Sequence, residues 1–75
     1  MSELTYGQRA VGLTFNPGNS DAVARCKQMF ADIIDMMVLA RGGAETPEAS
    51  RLASIAITEA QTAQMWAVKA LTWKE

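Results

Sequence analysis

In the second half of this 75-residue chain, Ala49, Ala53, Ala56, Ala60, Ala63, Ala67 and Ala70 follow one another in steps of four and three residues. In an α-helix that spacing keeps the whole row on one face, and a row sustained for about three heptads stays in register with a partner helix. Alanine has almost no side-chain entropy to lose, and it lets a second backbone come closer than Leu or Ile would allow. The row therefore predicts a long helix with a shallow face suited to close packing. A second row, Leu52, Glu59, Trp66 and Trp73, runs beside it at seven-residue intervals. Glu59 interrupts that otherwise apolar seam, so its carboxylate needs a partner, solvent, a symmetry axis or a ligand.

Capping residues mark where the helices begin and end. Thr46 is a good N-cap, Pro47 suits the first helical position and Glu48 adds negative charge behind it, so this helix is expected over 46–73. Upstream, Ser20 as N-cap, Asp21 in the first turn and the Gly42-Gly43 stop bound a first helix over 20–41. Its expected core stripe is Val23, Cys26, Phe30, Ile33, Ile34, Met37 and Val38, while Met29, Met36 and Leu39 widen the apolar arc beyond one partner helix. The short connection makes the two helices an antiparallel hairpin, and at 1.5 Å per residue the second, roughly 40 Å long, overhangs the first, roughly 31 Å long. Residues 1–19 read as an irregular segment broken by Gly7, Gly12, Pro17, Gly18 and Asn19. Within it Val11, Leu13 and Phe15 alternate with Gly12 and Thr14 like a short extended stretch. The expected fold class is all-α: an antiparallel helical hairpin with an irregular N-terminal segment, forming one domain over residues 1–75.

So short a chain buries a small fraction of its surface and needs a supplement to its core. One cysteine and no histidine exclude an intrachain disulfide and leave any zinc site to carboxylates alone. No cofactor or metal is expected, and oligomerisation remains as the supplement, giving a compact homo-oligomer. A formal net charge of −1 offers no general attraction to polymeric nucleic acid or to an anionic membrane. A small anion needs only two or three local cations, so it stays within reach. With no run of about eighteen apolar residues and no leader-like amino terminus, the expectation is a cytosolic protein.

Catalytic patterns are missing. The absence of histidine removes Ser-His-Asp and Cys-His mechanisms, and no GxxxxGK[ST] phosphate loop occurs. Asp32 and Asp35 read as a solvated face and Cys26 as a small core residue. The chain is not expected to be an enzyme.

Arg9, in the glycine-rich segment, and Lys27, near the start of the first helix, are the cations best placed to grip an anion, helped by free backbone N–H groups at that helix start. Phe15 is close enough in sequence to stack on a base, and Asn16 can read a base edge. Each also has an ordinary reading: surface charge for Arg9 and Lys27, core plug for Phe15, turn residue for Asn16. In the second helix Thr58, Gln61, Thr62 and Gln64 form a polar middle, which equally suits interhelical hydrogen bonding. Lys69 complements the helix dipole near the C-terminal end.

Gly7-Gln8-Arg9-Ala10-Val11-Gly12, then Phe15-Asn16-Pro17-Gly18 and two helices, resembles small bacteriophage proteins that share the hairpin domain of anti-CBASS and anti-Thoeris sponges. Ile55-Ala56-Ile57-Thr58 and Gln64-Met65-Trp66-Ala67-Val68-Lys69-Ala70 resemble the closing helix of that family. The resemblance covers roughly residues 6 to 73. It implies a homohexamer that binds cyclic oligonucleotide second messengers without cleaving them, so that a bacterial immune effector is never activated in the cytoplasm of the infected host. In such relatives a Gly-Tyr-Arg element before the first helix and a lysine within it clamp cyclic dinucleotides between protomers. Gly7, Gln8 and Arg9 match the element and Lys27 the lysine. Gln8 stands where the family has a stacking tyrosine, which leaves Tyr6 or Phe15 to supply the aromatic surface. Lys69 stands at the basic position of the closing helix, implying a separate site for cyclic trinucleotides, and Thr58 belongs to the Ile-Ala-x-Thr element.

A symmetric pair of protomers would present Arg9 and Lys27 twice, supplying four positive charges to a two-phosphate ring from a nearly neutral chain. Two competing readings remain at this level: a structural or protein-interaction hairpin of a phage assembly with no small-molecule ligand, and a regulator that docks on a phage enzyme through the Met-rich face of the first helix.

Overall fold

The computed structural model describes residues 3–74 and consists of three helices: α1 (Tyr6–Ala10), α2 (Asp21–Gly42) and α3 (Pro47–Thr72). Helices α2 and α3 form the hairpin, and α1 packs on α2, giving a flat body of 45 × 34 × 12 Å. Among the described residues no helix is long and apolar enough to cross a membrane.

Local chemistry fixes each helix end. Ser20 Oγ accepts from the Val23 N–H at 3.3 Å at the start of α2, and Thr46 Oγ1 accepts from the Ala49 N–H at 3.1 Å at the start of α3, with Pro47 at the first helical position. The Gly43 N–H closes α2 on the Leu39 carbonyl at 3.0 Å. Near the connection between the helices, an Arg41 guanidinium nitrogen donates to Ser54 Oγ at 3.3 Å. On the exposed first turn of α3, Arg51 and Glu48 form an ion pair at 2.6 Å, and the hydrogen bond from Arg51 holds the Glu48 carboxyl below its ordinary value.

The N-terminal segment departs from the irregular, partly extended chain expected from sequence. Tyr6–Ala10 is a helical turn because Thr5 and Gln8 cap it reciprocally: Thr5 Oγ1 accepts from the Gln8 N–H at 3.1 Å and Gln8 Oε1 accepts from the Thr5 N–H at 2.9 Å. Its C-terminus closes when the Gly12 N–H reaches the Arg9 carbonyl at 3.1 Å and the Leu13 N–H reaches the Gln8 carbonyl at 3.0 Å, with Gly12 at φ +63°. Only glycine takes that left-handed position without a Cβ penalty. Val11 and Leu13 thus lie on turns rather than on an extended stretch, with Val11 buried and Leu13 packed against the core, and Phe15, just after the turns, is 73 % exposed.

This segment also rotates the core. The buried residues of α2 are Val23, Lys27, Ala31 and Ile34, whereas Ile33 faces outward and Cys26 is half-buried. Periodicity along α2 does not register a third covering element. In fact α1 and its following turns cover the Lys27–Ala31 side, so a lysine and a small alanine move in and Ile33 moves out. On α3 the buried residues are Ala53, Ile57 and Gln64, with Ala60 packed against the same core. Ala49, Ala63 and Ala70 are exposed, so the alanine row is divided between the intrachain contact and the surface. The second row is wholly outward: Leu52, Glu59, Trp66 and Trp73 all face solvent in the single chain.

Candidate functional site

Lys27 is the most unusual side chain of the fold, a lysine left only 5 % exposed. Its ammonium donates to the Gly12 carbonyl at 2.9 Å and to the Phe15 carbonyl. The Phe15 ring lies over it, with its centroid 5.5 Å from Nζ. Among the described residues the ion pair is Arg51–Glu48, so no carboxylate neutralises Lys27. An ammonium has three donors, and two are spent on carbonyls, leaving a desolvated positive charge with one hydrogen to give. It borders a cavity of about 340 Å³ walled by Phe15, Asn16, Ser20 and Val23 on one side and by Val68 and Thr72 of α3 on the other. That volume lies at the lower end of the range of small-molecule sites, which runs from roughly 300 to 1,000 Å³.

The Asn16 side chain is committed to the loop. Its Nδ2 donates to the Ser20 carbonyl at 2.9 Å and its Oδ1 accepts from the Ser20 N–H at 3.2 Å, which orders the approach to α2 around Asn19 at φ 52°. It therefore shapes the cavity wall, with less capacity left for reading a base edge than the sequence suggested.

A second cleft, about 350 Å³, is lined by Tyr6, Arg9 and Ala10 of α1 and by Gln61 of α3. Gly7 and Gln8, between those residues, turn inward. The Gly7 N–H donates to Asp35 Oδ1 at 2.7 Å, and a Cβ at Gly7 would stand 2.2 Å from the Ala31 carbonyl oxygen. Gln8 Nε2 donates to Gln28 Oε1 at 3.1 Å, and Gln28 Nε2 in turn to Asp32 Oδ1 at 2.7 Å. Gly7 and Gln8 thus anchor α1, while Tyr6 and Arg9 face the opening. Aspartates 32 and 35, read from sequence as a plain solvated face, are the α2 side of this anchor. The signal that would have found them is the Thr5–Gln8 capping spacing, which places a helix start over α2.

Lys69 lies apart from both clefts. Its ammonium is 5.4 Å from the Trp66 ring centroid and 5.7 Å from that of Trp73, and it lines a shallow depression with Thr62 and Met65. Thr58 is exposed on α3, its carbonyl accepting from Thr62 Oγ1 at 3.2 Å. The sequence-derived residues therefore divide into a Lys27–Phe15–Asn16 cavity, a Tyr6–Arg9 cleft, the Gly7–Gln8 anchor, and the separately placed Thr58 and Lys69.

The fold is a helical hairpin with a small docked N-terminal helix and a desolvated cation beside a cavity. The chain belongs to the Acb2/Tad1 hairpin-domain family, whose profile matches residues 8–72. That is the anti-CBASS and anti-Thoeris cyclic-nucleotide sponge family of bacteriophages. Neither the curated proteins nor the solved structures yielded a match.

Proposed function

We propose that this protein sequesters cyclic oligonucleotide immune messengers, cyclic dinucleotides foremost and cyclic trinucleotides at a second site, without cleaving them. It thereby blocks CBASS-type signalling in the cytoplasm of the infected host. The observation that carries the reading is the Lys27 ammonium, held at a cavity wall by two carbonyls with no carboxylate beside it. A buried charge of this kind is compensated when a phosphate takes its remaining hydrogen. Phe15 and Tyr6 offer exposed rings for base stacking, worth roughly 1–3 kcal/mol per base, and Arg9 offers a forked donor to phosphate oxygens. Gly7, Gln8 and Asn16 hold these groups in place; Lys69, with the two indoles beside it, forms the second site, and Thr58 is a further ligand contact on the same helix. No step of this function needs a nucleophile, a general base or a cofactor.

The working form is a homohexamer of single-domain chains spanning residues 1–75, and neither polymeric nucleic acid nor a membrane is a partner. Its support is the large apolar surface a single chain leaves in water: Met29, Met36 and Leu39 on α2, and Leu52, Trp66 and Trp73 on α3. The same surface favours the alternative of a ligand-free interaction hairpin. Calorimetry with cyclic di- and trinucleotides, on protein whose mass is known from light scattering, separates the two readings. Saturable binding supports the sponge, and a stable oligomer that binds none of them supports the alternative.

A further inference from the structure

On α3, Gln61 and Gln64 are one helical turn apart and share a face. Gln61 lines the cleft of Tyr6 and Arg9, is half-buried, and makes no side-chain hydrogen bond to another described residue. Gln64 is only 7 % exposed and also makes none. Because no fully enclosed side-chain N or O of the described residues lacks a partner, the Gln64 carboxamide must keep an opening to the outside. One turn further on, Val68 lines the cavity of Lys27. The two glutamines thus lie along α3 between the cleft that holds a guanidinium and the cavity that holds an ammonium.

We infer that Gln61 and Gln64 are the base-reading residues of the nucleotide site, a role that rests on the sponge reading above. A carboxamide offers two donors and an acceptor in one plane, the complement of a purine Watson–Crick or Hoogsteen edge. Placed between two cations that hold successive phosphates, such groups meet the base that a cyclic dinucleotide carries between them. A second protein chain is a poorer occupant, since Gln64 is already nine-tenths covered by its own chain and leaves a small opening. Sites built to hydrogen-bond a ligand group reject analogues lacking it, because the site's polar atoms are then left unpaired. The glutamines therefore set which base is retained, while Arg9 and Lys27 set that a phosphodiester is retained at all.

The test is calorimetric titration of the full chain, Gln61→Met and Gln64→Met with cyclic di-AMP, cyclic di-GMP and cyclic UMP–AMP, with the mass of each protein measured by light scattering. Methionine keeps the length of the side chain and removes its donors and acceptor. The ratio of Kd values between the best and the worst of the three ligands should fall about 10-fold or more in each variant, at unchanged mass. A ratio within about 2-fold of the unsubstituted protein, a change smaller than one lost hydrogen bond gives, overturns the inference. So does a loss of mass with the ratio preserved, which would make the glutamines subunit contacts. Should Gln64→Met fail to fold, Gln61→Met, at the less buried position, decides the matter alone. Binding by the unsubstituted protein with no change in the variants removes this inference only; no binding by the unsubstituted protein removes the sponge reading as well.

Discussion

The backbone N–H of Gly7 donates to Asp35 Oδ1 at 2.7 Å, and this bond seats α1 against α2 with no room for a side chain between them. Gly7→Ala would put a methyl 2.2 Å from the Ala31 carbonyl oxygen, so α1 must shift. Overpacking of this kind costs about 1–3 kcal/mol. Asp35→Ala removes a charge-assisted bond worth about 1.5–3 kcal/mol, whereas Asp35→Asn keeps the acceptor oxygen. Chemical denaturation should rank the two, and amide exchange over residues 7–13 should accelerate in Gly7→Ala and Asp35→Ala but much less in Asp35→Asn. Equal protection in all three would show that the bond does not hold α1.

Lys27→Met is expected to act twice. The Gly12 and Phe15 carbonyls lose their donor, so stability falls by about 1–3 kcal/mol in a urea titration, and the affinity for cyclic dinucleotides is lost. A variant that binds normally after confirmation of its fold by circular dichroism would remove Lys27 from the site.

Arg9 is exposed, and its contribution to an anionic ligand should be screened by salt. Raising ionic strength should weaken cyclic dinucleotide binding, and Arg9→Ala should both lower affinity and flatten that dependence. An unchanged slope in Arg9→Ala would show that the guanidinium does not face phosphate.

Ala60 and Ala63 belong to one row yet meet different surroundings. Ala60 packs against the core, so Ala60→Leu should destabilise the single chain by about 1–3 kcal/mol. Ala63 is exposed, so Ala63→Leu should change chain stability by no more than about 0.5 kcal/mol. If this face packs on another copy, Ala63→Leu should lower the mass seen by sedimentation. Unchanged mass would place Ala63 outside the subunit contact.

The Glu48–Arg51 pair gives a small pH effect of known sign. The Glu48 carboxyl lies below its ordinary value of 4.5 because Arg51 hydrogen-bonds it, so its contribution is present above that value and is lost as the pH falls through the lower folded value. Both side chains are solvent-exposed, so the effect is confined to the acid limb of a Tm-against-pH curve, and Glu48→Gln should erase it. A difference between the two proteins in acid that is absent at neutral pH would contradict this sign.

Helix-forming signals were legible because they are local. Ser20, Thr46, Pro47 and Gly42-Gly43 act within a turn of themselves, and in the structure α2 begins and ends, and α3 begins, beside them. The capping box of α1 was equally local, but Gly7 and Gly12 masked it, since glycine is read as a breaker until one sees that Gly7 permits contact with Ala31 and Gly12 closes the helix. What periodicity does not carry is the covering of one helix by a third element. That is why Lys27 and Ala31 read as outside the apolar stripe of α2 and Ile33 within it. Around the candidate site, residue chemistry makes Lys27, Arg9 and Phe15 candidates, while the commitment of Asn16 to Ser20 and of Gln8 to Gln28 depends on folded distances.

The central claim is capture without chemistry at the Lys27 cavity, and the most direct test is to bind a cyclic dinucleotide, denature the complex and analyse the released nucleotide. The account predicts saturable binding by the unsubstituted protein, none by Lys27→Met, and recovery of the ring intact in proportion to the sites filled. Recovery of a linearised product, or equal capture by Lys27→Met, would contradict it.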